Sequence, residues 1–171
     1  KFICYKNPNA HNMDDYKVYY TEQDYISPKH PVKDANGITM MDKFKDKIFD
    51  ALKADKKIVV LSSTARFVKS INNWILDLQE QKTLPKFKTK LYTSESDPNV
   101  TAKDMSDVYN VFADPNLKLL LYSPTISAGI SFNNVEVGEG FDIQFCCFQT
   151  GAHVPSLNTT KQMLRRVRQL R

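Results

Sequence analysis

The chain has 171 residues, 42% hydrophobic and 25% charged, which is enough for one domain with a real core and unlike a disordered segment. No apolar run approaches the roughly 20 residues that span a bilayer. Three cysteines (Cys4, Cys146, Cys147) are too few for a disulfide framework, and His11, His30 and His153 have no metal-ligand spacing to them, so a reducing, intracellular setting without a metal site is expected.

Along the chain, residues 1–38 are the least regular part, with possible short strands at KFICY and KVYY and turns at Pro8, Pro28, Pro31 and the ANG of 35–37. Order then sets in. ITMMDKFKDKIFDALKAD (38–55) repeats its apolar residues at helical spacing, and KKIVVL (56–61) is a short β-branched run that predicts a buried strand. SSTARFVKSINNWILDLQEQ follows, with Ser63 or Thr64 as N-cap and Phe67, Val68, Ile71, Trp74, Ile75 and Leu78 as the apolar stripe. KTKLYTS (88–94) predicts a strand, VTAKDMSDVYNVFAD (100–114) one helix with Met105, Val108, Val111 and Phe112 inward, and LKLLLYS (117–123) a third strand. FDIQFCCF (141–148) reads as a fourth strand whose cysteines pack in the core, and QMLRRVRQLR as a closing helix. Apolar strands alternating with helices predict an α/β fold with a mostly parallel sheet covered on both faces.

Ligands of such sheets bind beyond the carboxyl ends of the strands. Polar stretches follow three of those ends: SSTAR, YTSESD and SPTISAG. Ser63, Thr64, Thr93, Ser94, Thr125 and Ser127 therefore gather hydroxyls where backbone amides are also free, a combination suited to phosphate oxygens. Any one of these residues is equally a helix cap or turn former. Gly129 lets the backbone of SPTISAGISF approach a ligand closely, although a tight loop between strands reads the same.

The closing helix buries Met163, Leu164, Val167 and Leu170 on one face and turns Gln162, Arg165, Arg166 and Gln169 the other way, with Arg168 on the flank. Guanidinium suits bidentate contact with phosphate. A basic amphipathic surface helix is the alternative. No G-x-x-x-x-G-K-[ST] and no G-x-G-x-x-G after a strand is present, so any ATP site would be only half supplied. The net charge of +5 is compatible with a nucleic-acid partner without requiring one. The aromatics Trp74, Tyr92, Tyr109 and Tyr122 could stack bases, but Trp74 falls in an apolar stripe and packing is the simpler role.

The succession SSTAR, YTS, SPTISAGISF, FDIQFCCF and QMLRRVRQLR resembles the late motifs of superfamily 2 helicases, most closely the viral replication-origin-binding group of the herpesvirus origin-binding protein type. The resemblance covers about residues 56–171. It implies a RecA-like three-layer α/β/α sandwich over 39–171, with 1–38 as an irregular connection or sheet edge. It also implies an upstream RecA-like domain, which would hold ATP and Mg²⁺ across an inter-domain cleft. Within that picture Arg166, Arg168 and Gln162 take the catalytic roles. Gly129, Thr125 and Arg165 serve the nucleotide, and Ser63, Thr64, Thr93, Ser94, Thr125 and Ser127 serve the DNA strand. The superfamily pattern Q-x-x-G-R-x-x-R is altered here: Arg165 stands at its Gly and Gln169 at its last Arg, so the finger is Arg166 or Arg168. DNA, single-stranded or at an origin, and other replication proteins are the implied partners, with no membrane. The implied location is the host nucleus or a cytoplasmic viral replication site. A non-catalytic nucleic-acid-binding module is the competing reading.

Overall fold

The protein's structure, a computed structural model, describes residues 33–124, 140–148 and 156–164. The chain divides into two compact units, Lys1–Asp46 and Lys47–Arg171.

In the first unit, Lys33 and Thr39 form an antiparallel bridge around a turn in which Gly37 takes a φ of 77°, a left-handed conformation that glycine adopts without strain. The Asp34 carboxylate accepts from the amides of Asn36 and Ile38 and pairs with Lys43 at 2.7 Å. Thr39 and Asp42 then close a reciprocal cap: the Asp42 amide donates to Thr39 Oγ1 (3.1 Å) and the Thr39 amide to Asp42 Oδ2 (2.9 Å). That cap starts helix α1 at Met40–Lys53, two residues later than the apolar pattern alone indicates.

In the second unit the elements after α1 run β1 (Ile58–Ser62), α2 (Ala65–Glu80), β2 (Lys88–Tyr92), α3 (Pro98–Ser106), α4 (Val108–Ala113), β3 (Leu117–Tyr122), β4 (Ile143–Cys147) and α5 (Leu157–Leu164). The four strands are all parallel, in the order β2-β3-β1-β4. The chain crosses the sheet in one direction from β1 to β2 and in the other from β2 to β3. Right-handed crossovers therefore put the two connections on opposite faces. Val59, Leu61, Leu120 and Tyr122 pack with Met105, Val108, Val111 and Phe112 of α3 and α4 and with Met163 of α5. Ile58, Val60, Leu119 and Leu121 alternate to the other face, where α2 lies against β1, β2 and β3 with Phe67, Val68, Ile71 and Ile75 buried. The result is the RecA-like three-layer α/β/α sandwich.

Three features differ from the pattern read along the sequence. The helix expected over 100–114 is two helices, because Asp107 leaves helical geometry (φ −135°, ψ 52°) to accept from the Asn110 amide and begin α4. Pro98 starts α3 earlier than expected, capped by the Asp97 carboxylate on the Asn99 amide. The third is β4. FDIQFCCF looks like a buried run, yet Ile143 and Cys146 are exposed and Cys147 half-buried. Among the described residues β4 has a neighbour on one side only, β1, which explains its incomplete cover. No helix among the described residues is long and apolar enough to cross a membrane.

Two buried polar groups hold this unit together. Lys57 is 5% exposed; its ammonium donates to the carbonyls of Phe112 (2.5 Å) and Asp114 (3.1 Å), closing the carboxyl end of α4, and lies 5.1 Å from the Phe141 ring centre. Asp104, on α3, accepts from the Tyr92 hydroxyl (2.8 Å) and from Lys90 (2.5 Å), clamping α3 to β2. Burial pushes the Asp104 carboxyl up, but the Lys90 and Tyr92 hydrogen bonds and the lysine charges outweigh it and hold it below the usual carboxylate range. Burial, and then the neighbouring carboxylate, push the Tyr92 phenol far above its ordinary value.

Candidate functional site at the carboxyl edge

Because all four strands are parallel, their carboxyl ends share one edge, and the hydroxyl-bearing loops leave from there. After β1 the chain passes through Ser62 and Ser63, both buried, to Thr64. The Ser63 amide donates to the Cys147 carbonyl (3.3 Å) and the Thr64 amide to Ser62 Oγ (3.3 Å), so this turn is tied to the ends of β1 and β4. Thr64 sits at the N-cap of α2 in extended geometry (φ −129°, ψ 135°) but makes no side-chain cap bond. Its Oγ1 is buried and has no hydrogen-bond partner among the described residues. A buried, unsatisfied hydroxyl is disfavoured by about 1–3 kcal/mol, and this one lies beside the positive end of a 16-residue helix.

After β2 the loop folds on itself. The Thr93 amide donates to Ser96 Oγ (2.8 Å), the Ser96 amide to the Thr93 carbonyl (3.0 Å), and the Glu95 amide to Thr93 Oγ1 (3.3 Å). Thr93 is buried and shapes the turn, whereas Ser94 faces solvent. After β3, Ser123 is buried and its amide donates to the Tyr92 carbonyl (3.0 Å), joining the exits of β2 and β3.

The sequence-derived candidates thus separate. Thr64, half-buried, and Ser94, exposed, lie at this edge; Ser63 and Thr93 are buried beneath it. Gln162 is exposed on α5, a helix docked through the Tyr122 hydroxyl on the Met163 carbonyl (2.8 Å). Thr125, Ser127, Gly129, Arg165, Arg166 and Arg168 lie outside the described residues, as do Cys4 and the three histidines. Tyr92 and Tyr122 are core residues, Trp74 is half-buried in α2, and Tyr109 is 40% exposed.

Two charged groups at this edge escape a reading of the sequence. Arg66, in the first turn of α2, is exposed and makes no ion pair among the described residues. Lys69, one turn further along, pairs with Glu95 of the β2–α3 turn. Arg66 could have been found from the SSTAR motif that contains it, but nothing local links Lys69 on α2 to Glu95 in the turn after β2. Among the described residues no three His, Cys, Asp or Glu gather where they could hold a metal ion. Set against models of protein families, curated proteins and solved structures, the chain matches none of them.

Proposed function

We propose that the chain is the second RecA-like domain of an ATP-dependent DNA helicase of the replication-origin-binding kind. In this reading its carboxyl edge holds the backbone of a single DNA strand, and its closing helix offers Gln162 and Arg166, with Arg168 beside them, to the phosphates of ATP. The chain has no phosphate-cradling Gly/Lys loop, so Mg²⁺ and the β- and γ-phosphates would be held by a partner RecA-like domain. An arginine from this chain would neutralise charge developing on the transferred phosphoryl group.

The observation that carries the reading is the uncapped start of α2. Ordinary caps satisfy the first amides of a helix with the N-cap side chain. Here Thr64 has the right residue type and backbone, yet its hydroxyl is idle. The residue itself is only half-buried, so a rotation about χ1 carries the hydroxyl toward an incoming phosphate oxygen. The same oxygen would meet the helix amides and the exposed Arg66. Ser94 lies at the same edge, on the loop after β2, one strand removed from β1.

Thr64→Val tests this. Valine keeps the shape and removes only the hydroxyl. A residue that serves the fold alone would lose stability on this change. In the proposed role stability is unchanged or slightly higher, while binding of a fluorescein-labelled oligo-dT weakens about tenfold, the loss expected for one hydrogen bond to a charged partner. Unchanged affinity would remove Thr64 from the interface. Oligonucleotide binding that is indifferent to ATP, in a longer chain carrying a phosphate-loop domain, would instead favour the non-catalytic binding module.

A further inference from the structure

The Lys69–Glu95 ion pair joins the start of α2 to the turn after β2, two places that the proposed function assigns to the same ligand. Lys69 and Arg66 are three residues apart on α2 and so share one exposed face of its first turns. Glu95 belongs to the tight turn after β2, whose backbone is held by Thr93 and Ser96. The two side chains are 34% and 69% exposed, so water and salt reach the pair and it exchanges readily. Glu95 presents to Lys69 the same chemistry a phosphate does, two anionic oxygens on a short stem.

We propose that Glu95 is a built-in competitor for the nucleic-acid backbone: it occupies Lys69 in the free chain and must give way before Lys69 can contact a phosphate. The inference rests on the proposed DNA-binding edge and adds a residue that tunes its affinity. Its physical content is exchange at one ammonium. With Glu95 in place, Lys69 contributes little net binding, because one anionic partner is traded for another. Arg66, with no such partner among the described residues, would make the first contact, and Lys69 would be recruited as Glu95 withdraws.

A double-mutant cycle tests it with fluorescein-labelled oligo-dT over a salt series, using the chain alone and Glu95→Gln, Lys69→Ala and the double variant. Glu95→Gln is expected to bind about fivefold tighter at low salt, as one added charge-assisted contact would give. Its log–log salt slope should steepen by about 0.7, the share of one phosphate on a single strand. In the Lys69→Ala background the gain should vanish. If the gain persists there, Glu95 acts only by through-space repulsion and the exchange is refuted; no gain in either background refutes it equally. A wild-type chain that does not bind the oligonucleotide overturns the proposed function itself, and the inference with it. All four proteins should share one urea midpoint, since both side chains are on the surface.

Discussion

Removing the Asp104 carboxylate is the most direct probe of what holds α3 on the sheet. Asp104 is 9% exposed and accepts from both Tyr92 and Lys90. In Asp104→Ala the Tyr92 hydroxyl, on a residue 2% exposed, keeps its burial and loses its acceptor. Such a stranded group is disfavoured by about 1–3 kcal/mol. Lys90 is 23% exposed at its side chain and can turn toward water, so its share is roughly 1 kcal/mol or less. The expected loss is therefore about 1–4 kcal/mol, at about 2–4 °C in Tm per kcal/mol for a chain of this length. Urea unfolding followed by the fluorescence of Trp74, the only tryptophan, measures it. Adding Tyr92→Phe to Asp104→Ala should recover about 1–2 kcal/mol, because the orphaned hydroxyl is then gone. A loss below about 0.5 kcal/mol, or no recovery in the double variant, would refute the view that this network clamps the helix.

Acid should act through the same group. The folded pKa of Asp104 is depressed, so its contribution is complete above the unfolded value near 3.8 and is lost as pH falls through the lower folded value. Between pH 5 and pH 2 the wild type should thus lose more stability than Asp104→Asn, as urea midpoints across that range would show. Lys57→Met should lower stability by roughly 2 kcal/mol, because the carbonyls of Phe112 and Asp114 lose their buried donor at the end of α4; thermal unfolding checks this. In a longer chain carrying a phosphate-loop domain, Arg166→Ala should reduce DNA-stimulated ATPase activity by about 10³-fold or more. Full activity in that variant, with loss in Arg168→Ala, would transfer the finger role to Arg168.

β1 and β3 were readable because each is a short, largely apolar run, and β1, buried at every position, shows no alternation that a helix or half-exposed strand would impose. The carboxyl-edge loops followed from the parallel order, since a parallel sheet gathers all its exits on one side. The break at Asp107 was hidden: Asp104, Val108 and Val111 keep helical spacing across it, and only the competition of the Asp107 side chain for the Asn110 amide interrupts the helix. That same spacing carried an unread signal, a carboxylate at position 104 on an inward stripe, which requires a buried partner. The cysteines of β4 misled for a different reason. Apolarity marks a strand but not whether it has neighbours on both sides. The Lys69–Glu95 pair joins a helix residue to a turn residue 26 positions away, and no local pattern encodes it.

The strand order has a consequence for how the chain acquires its structure. β1 is made first, yet its hydrogen-bonding neighbours are β3 and β4: Ile58 pairs with Leu119 on one side and Ile143 on the other. β2, next off the ribosome, also waits for β3. Until Leu117–Tyr122 emerges, the apolar strand IVVLS and the inner face of α2 have no sheet to join, and during that interval they are a surface for chaperones or for aggregation. β3 is thus the gate of folding. Shortening its side chains at Leu119 or Leu120 should slow refolding as well as weaken the native state, the pattern of residues already packed in the transition state.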